Sequence, residues 1–240
     1  MRVSTDSTIL IPIDVSEPET PSNGIMRLLG SVNTVLLGYY PVPSQTAPAQ
    51  IKNDNESEAA QRLESILETL TDEGHNVTDV LVFTHDHQDA IDRIADEYDC
   101  DAVLSSGDVD TVERILVPLR GKTNLNRILS FVEDLMRISD ASVTLFHSVD
   151  DDTNGHTGES LLDDAVNRLS TSGIDRNRIN KRLSEGGSPS SGIVELAADF
   201  DVLVLGETEP SLRERILGTV PTQAIDNTDK PVFVVRKTEE

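Results

Sequence analysis

The segment Phe83-Thr84-His85-Asp86-His87-Gln88-Asp89-Ala90 sets two imidazoles one residue apart, with carboxylates between and after them. At the end of a strand such a pair can chelate a metal ion, and the aspartate can hold a second. Gly155-His156-Thr157-Gly158 offers a further imidazole. A plainer account makes His85 and His87 polar residues of a loop opening a helix, with Asp86 or Asp89 at its positive end. Asp150-Asp151-Asp152 could catch a hard cation, but solvated loop charge accounts for it. Gly186-Gly187-Ser188-Pro189-Ser190-Ser191 could form an amide nest for an anion, but helix initiation explains the same residues. Cys100 is the single cysteine, which excludes an internal disulfide and a Cys-rich zinc site. It is expected to pack as a small apolar residue. No Gly-x-Ser-x-Gly elbow, Walker loop or Gly-x-Gly-x-x-Gly turn occurs.

The elements that must position these residues follow from apolar runs of strand length alternating with helical patterns, the mark of parallel strands covered by helices on both faces. Thr8–Ile13, Asn33–Tyr40, Val77–Phe83 and Asp101–Ser105 read as buried strands. A helix from about Ser57 to Thr71 presents Ala60, Leu63, Ile66, Leu67 and Leu70, and a shorter one carries Ala90, Ile91, Ile94 and Ala95. Pro41–Asn55 is polar, holds three prolines and reads as a loop.

The plan then recurs. Arg114–Leu119, Ser142–Val149, a polar strand near Arg178–Leu183 and Asp201–Leu205 alternate with helical faces around Leu125–Met136, Leu161–Leu169 and Ile193–Ala197. Ile9-Leu10-Ile11-Pro12 returns as Ile115-Leu116-Val117-Pro118, and the stretch Tyr98–Leu104 is echoed by Phe200–Val204. Duplication is the simplest account. Past Leu205 the second copy continues through helices around Ser211–Leu217 and up to Ile225, then a last strand Pro231–Val235. The first copy has only Ser105–Thr111 at that point, so it lacks the final helix and strand. The units are placed at 1–110 and 111–240.

Composition narrows the function. Of 240 residues, 20 are Lys or Arg and 43 Asp or Glu, a net charge of −23. Nucleic-acid binding is excluded, because it needs clustered positive charge. No apolar run is long enough to cross a membrane, and Met1-Arg2 leads into polar residues rather than a signal-peptide core, so a cytoplasmic location is expected. Only 5 of the 20 basic residues are lysine, while hydrophobic content is an ordinary 37%. This is read as adaptation to high salt, where screening relieves carboxylate repulsion. The alternative is an acidic protein of dilute cytoplasm, which a low-salt unfolding transition would exclude.

The strand end Pro12-Ile13-Asp14-Val15-Ser16-Glu17, the element order and the stretch Asp201–Gly206 … Leu217-Gly218-Thr219-Val220 … Lys230–Val235 resemble the universal stress protein family in tandem form. The resemblance implies an α/β architecture of two tandem doubly wound parallel-sheet domains, adenine nucleotide α-hydrolase-like, each of strand order 3-2-1-4, with a fifth strand where one is present. Members that bind ATP do so at the carboxyl ends of the strands, with a phosphate loop Gly-x2-Gly-x9-Gly-Ser/Thr after the fourth strand. Gly206 and Gly218-Thr219 match its outer positions, but Glu209 replaces the middle glycine and the loop is one residue short. A carboxylate facing a phosphate at about 4 Å costs about 1 kcal/mol even in water.

The family's base-side aspartate is present as Asp14, whereas the second unit has Arg120 there. Neither unit is complete. Residues 1–110 hold 5 basic and 21 acidic side chains against 15 and 22 in residues 111–240, so any anion site is expected in the second unit. Its candidate nucleotide-binding residues are Pro118, Arg120, Gly206, Gly218, Thr219 and Val220, with Asp14 the matched residue of the first. Arg213 and Arg215 could supply guanidinium forks, although pairing with neighbouring carboxylates accounts for them.

Three functions follow. The reading adopted is a non-catalytic stress-response regulatory module with weak or lost ATP or AMP binding in the second unit. It would self-associate through the apolar edge strand Pro231–Val235, between its own units or with a second chain. The second is a regulatory partner of a membrane transporter, antiporter or signalling protein that binds no nucleotide. The third is a metal-dependent hydrolase using His85 and His87, since the histidine segment resembles that of metallo-β-lactamase-like enzymes. That motif's last histidine is Ala90 here, and such a fold leaves the repeat unexplained.

Overall fold

A computed structural model describes residues 7–72, 74–105, 107–121, 124–149, 155–185, 189–207 and 229–237. Among the described residues nine strands form one sheet: β1 (Thr8–Asp14), β2 (Asn33–Pro41), β3 (Val77–Thr84), β4 (Ala102–Ser105), β5 (Arg114–Pro118), β6 (Ser142–Val149), β7 (Ile179–Glu185), β8 (Val202–Gly206) and β9 (Val232–Val235), in the order β3-β2-β1-β4-β9-β8-β5-β6-β7. Each half shows the expected 3-2-1-4 order. All pairings are parallel except β4 with β9.

β9 decides how the halves meet. Leu203–Gly206 of β8 pair with Val232–Val235 in parallel, and the other edge of β9 runs antiparallel to Ala102–Ser105. Residues 107–113 contain no helix or strand, so β4 takes its missing neighbour from the end of the chain. The expected pairing of the two halves through Pro231–Val235 is therefore seen. Pairing of a second chain through the same strand is ruled out, because both its edges are filled. Gly107 is required at this seam, since a Cβ there would lie 2.3 Å from the Pro231 nitrogen.

Six helices are described: α1 (Asn23–Leu28), α2 (Pro48–Asp72), α3 (His87–Glu97), α4 (Leu125–Met136), α5 (Gly155–Thr171) and α6 (Pro189–Ala197). The short α1, continued by a 3-10 turn, escaped the sequence reading; it buries Ile25, Met26 and Leu28. α2 corrects the expected loop over Pro41–Asn55. Pro41 closes β2 and only residues 42–47 are irregular, because Pro48 stands at the first helical position, where its missing N–H costs nothing. Lys52 then pairs with Glu56 at 3.3 Å one turn on, and Asn55 donates to the Ile51 carbonyl at 2.9 Å. Its buried stripe is Ala59, Leu63, Ile66 and Leu70, with Ala59 inside in place of the expected Ala60.

One face of the sheet carries a single core in which Ile9, Ile11, Leu63 and Ile66 of the first half join Ile115, Val117, Phe131 and Leu162 of the second. The opposite face carries two separate cores. Leu10, Val35 and Leu37 pack under Ile91, Ile94 and Ala95 of α3, while Leu116, Phe146 and Val234 pack under Ile193 and Leu196 of α6. Polar ties cross the seam. The buried Asp134 carboxylate accepts from the Ser7 N–H at 3.0 Å and its hydroxyl at 2.5 Å, and Arg127 donates to Asp101 at 3.1 Å. Hydrogen bonds to charged groups contribute about 1.5–3 kcal/mol each, so these contacts reinforce the shared strand.

Candidate functional site

In an open α/β sheet a ligand crevice forms at the carboxyl ends of the strands where the winding reverses, which in the first half is between β1 and β4. A cavity of about 480 Å³ opens there. It starts at Asp14, passes beneath His87, Gln88 and Ile91 of α3, follows Val103 and Val234 across the sheet, and reaches Glu207 and Arg236. It therefore draws on both of the separate cores and on both halves of the chain.

α3 supplies one wall because Asp86 starts it. The Asp86 carboxylate accepts from the Gln88 and Asp89 amides at 2.9 and 3.2 Å, which neutralises the positive helix end beside the cavity. His87 stacks on Tyr39 at the end of β2, with ring centroids 5.3 Å apart and planes 19° from parallel. Burial, and then the charge of Asp14, raise the Tyr39 pKa, so the phenol stays neutral.

Carboxylates dominate the polar lining. One oxygen of Asp14 accepts from the N–H and hydroxyl of Ser16 at 2.9 and 2.6 Å. Glu17 and Glu19 stand exposed at the mouth. Glu207 at the far end accepts from the Lys237 N–H at 2.7 Å, and burial pushes its carboxyl above the usual range. Arg236 is bonded to Asp96 at 2.6 Å. Asp92 on α3, facing Arg236, Asp96, Glu207 and Asp89, is raised to about 6, chiefly by burial.

The sequence singled out Asp14 as a nucleotide-site residue and His87, with His85, as a metal-binding candidate, without joining the two. Tyr39 and His87 were missed as neighbours of Asp14 because the turn into α3 brings them to the end of β1, and Glu207 was missed because only the capture of β9 carries it to the far end of the cavity. The second-half candidates divide. Pro118 and Gly206 end the adjacent parallel strands β5 and β8, so the structure brings them to one end of the sheet. Arg120 follows, exposed. Gly206 packs close to α4: a Cβ there would lie 2.6 Å from Ile128 Cδ1, the end of a side chain that would have to shift to admit it. Gly218, Thr219 and Val220, with Glu209, Arg213 and Arg215, lie outside the described residues. Asp14 belongs to a different place altogether, because the antiparallel β4–β9 junction turns the carboxyl end of β1 opposite to that of β5.

The histidines face separate partners. His85 Nδ1 donates to the Val42 carbonyl at 3.1 Å, and His87 stacks on Tyr39. Among the described residues no group of three His, Cys, Asp or Glu side chains is placed to hold a metal ion. Cys100 is buried under α3, and burial pushes its thiol up to about 12, far from a reactive thiolate. Among the described residues no helix is long and apolar enough to cross a membrane.

The whole chain is similar in fold to solved structures. A universal stress protein from Archaeoglobus fulgidus DSM 4304 is 14% identical, with 97% of each chain covered and a TM-score of 0.63. A functionally unknown protein from Pseudomonas aeruginosa PAO1 is 16% identical, over 97% of this chain and 93% of that one, at a TM-score of 0.59. A putative universal stress protein from Pseudomonas aeruginosa UCBPP-PA14 is 14% identical, over 97% and 94%, at 0.58. No curated protein matches the chain significantly. The family model described as "Universal stress protein family" matches residues 111–236, more than half of the 240 residues. By that match, on a sheet wound in the order seen here, the chain belongs to the universal stress protein family.

Proposed function

We propose that this chain is a non-catalytic stress-response regulatory module of the cytoplasm, working at high salt and built from two units, 1–110 and 111–240, that share β9. ATP or AMP binding is weak or lost. The observation that carries this reading is the charge of the switch-point cavity. Asp14, Glu17, Glu19 and Glu207 line it, while its two sources of positive potential, the start of α3 and Arg236, are already bonded to Asp86 and Asp96. A triphosphate there meets like charge at close range. In the second unit, Gly206 answers to Ile128, and Arg120 stands where the first unit has Asp14.

The test is calorimetric titration of ATP and of AMP into the full chain at high salt, with phosphate release followed in the same samples. The expected result is no saturation below about 1 mM, a binding free energy weaker than about −4 kcal/mol, and no phosphate released. Micromolar binding of either nucleotide, or turnover of ATP, overturns the reading.

A further inference from the structure

We propose that copies of this chain join head to tail, β7 of one copy pairing antiparallel with β3 of the next. These strands are the two outer edges of the sheet, and among the described residues no strand lies beyond either. β3 is 8 residues long, and its Val77, Val80, Leu81, Val82 and Phe83 are only half-buried. An apolar edge with unpaired N–H and C=O groups is a template for another strand. β9 of a second copy cannot fill it, because both edges of β9 are taken.

Charge and register name the occupant. Between Asp175 and Glu185 stand Arg176, Arg178, Lys181 and Arg182 and no carboxylate, a basic edge on a chain of net charge −23. Lys181 is shared with Asp163 at 2.6 Å and Glu159 at 3.7 Å, but Arg176 and Arg178 donate to backbone carbonyls, which leaves their charge to the edge. From Asn76 to Thr84 the one charged residue is the exposed Asp79, and α2, packed against β3, presents Glu64, Glu68 and Asp72 to solvent.

The antiparallel β4–β9 junction makes β7 run opposite to β3, so a copy that continues the sheet meets β3 antiparallel. Asn76 and Thr84 give their carbonyls to the Thr34 and Val42 amides at 2.9 and 2.8 Å, so Val77, Asp79 and Leu81 turn their backbone groups outward. On β7 the outward residues are Ile179, Lys181 and Leu183. Ser142 and Phe146 of β6 bond toward β5, which leaves Val143, Leu145 and His147 to bond the alternate residues of β7. Asp79 set opposite Lys181 then places Leu81 opposite Ile179 and Val77 opposite Leu183. These four apolar residues pack on the core that both halves share, so the contact extends that core from one copy to the next.

Sedimentation velocity of the full chain over micromolar to millimolar concentrations tests this in about 1 M potassium chloride, where a Debye length of about 3 Å suppresses long-range repulsion. Growth past the dimer with concentration is expected, since each added copy keeps a free edge. Asp79→Lys and Lys181→Asp each set like charges opposite one another and should weaken association at least about tenfold. An equimolar mixture of the two variants, and the double variant, should restore it. Asp79→Pro removes an outward N–H and should also weaken association. It replaces Lys181→Asp if that change unfolds the chain beside Asp163 and Glu159, and circular dichroism verifies each fold. A monomer at every concentration, a dimer that Lys181→Asp leaves intact, association unaffected by Asp79→Pro, or no recovery in the mixture of folded variants overturns the proposal.

Discussion

Asp101 and Asp201 tie down the start of a neighbouring strand in the same way. Asp101 donates its N–H to the Thr8 carbonyl at 2.7 Å and accepts the Thr8 N–H on its carboxylate at 2.9 Å. Asp201 donates to the Arg114 carbonyl at 3.0 Å and accepts the Arg114 N–H at 2.9 Å. Each aspartate enters the fourth strand of its half and fastens the first. The two-fold use of one device, by aspartates within the echoed stretches Tyr98–Leu104 and Phe200–Val204, supports the proposed duplication.

Asp201→Ala is expected to cost about 1.5–3 kcal/mol, the range for a hydrogen bond to a charged group. Asp101→Ala should cost more, because Arg127 then loses its carboxylate partner across the seam. Urea unfolding of both variants checks the order. Equal losses would show that the Arg127 contact adds nothing.

Asp92 sets a pH dependence of definite sign. Its folded pKa, about 6, lies above the usual carboxylate value of 3.8, so in that window the folded chain holds a proton that the unfolded chain has released. The contribution to stability is complete below 3.8 and is lost as pH rises through about 6. Asp92→Asn should therefore raise stability at neutral pH, by about 1 kcal/mol once partial solvent screening is allowed for. It should also flatten the fall in melting temperature between acidic and neutral pH. An unchanged pH profile in the variant would show that Asp92 does not titrate there.

Gly206→Ala should destabilise by about 1–3 kcal/mol through overpacking, because the new methyl meets Ile128 Cδ1 at 2.6 Å. Ile128→Val, which removes that terminal carbon, should recover part of the loss in the double variant. Additive losses measured by chemical denaturation would separate Gly206 from Ile128.

A net charge of −23 predicts a melting temperature that climbs steeply with potassium chloride, since the Debye length shrinks from about 10 Å at 0.1 M to about 3 Å at 1 M. Thermal scans across that range check it. A flat response would remove the high-salt element of the proposed function.

The succession of strands and most helices within each half was legible in the sequence, because apolar runs such as Leu203–Leu205 and helical stripes such as Ile91, Ile94 and Ala95 are local patterns, whereas the 3-2-1-4 order in space was implied only by the family resemblance. The start of α2 was not. Three prolines read as breakers until Pro48 takes the one helical position that tolerates it. Asp14 was named from its place after β1, but its surroundings were hidden. Tyr39, His87 and Glu207 are remote in sequence from Asp14, and no periodicity links them.

The sequence by itself determined the succession of strands and helices, the strong acidity, and a second half carrying the recognisable family stretch. Only the tertiary structure decided that β9 serves both halves, with two consequences. The carboxyl ends of β1 and β5 face opposite ways, and a cavity with walls from both halves runs toward Glu207. The physical reason is that hydrogen-bonding edges are filled by whichever strand is near in space. With no strand among the described residues between β4 and β5, the β4 edge is satisfied by residues more than a hundred positions away.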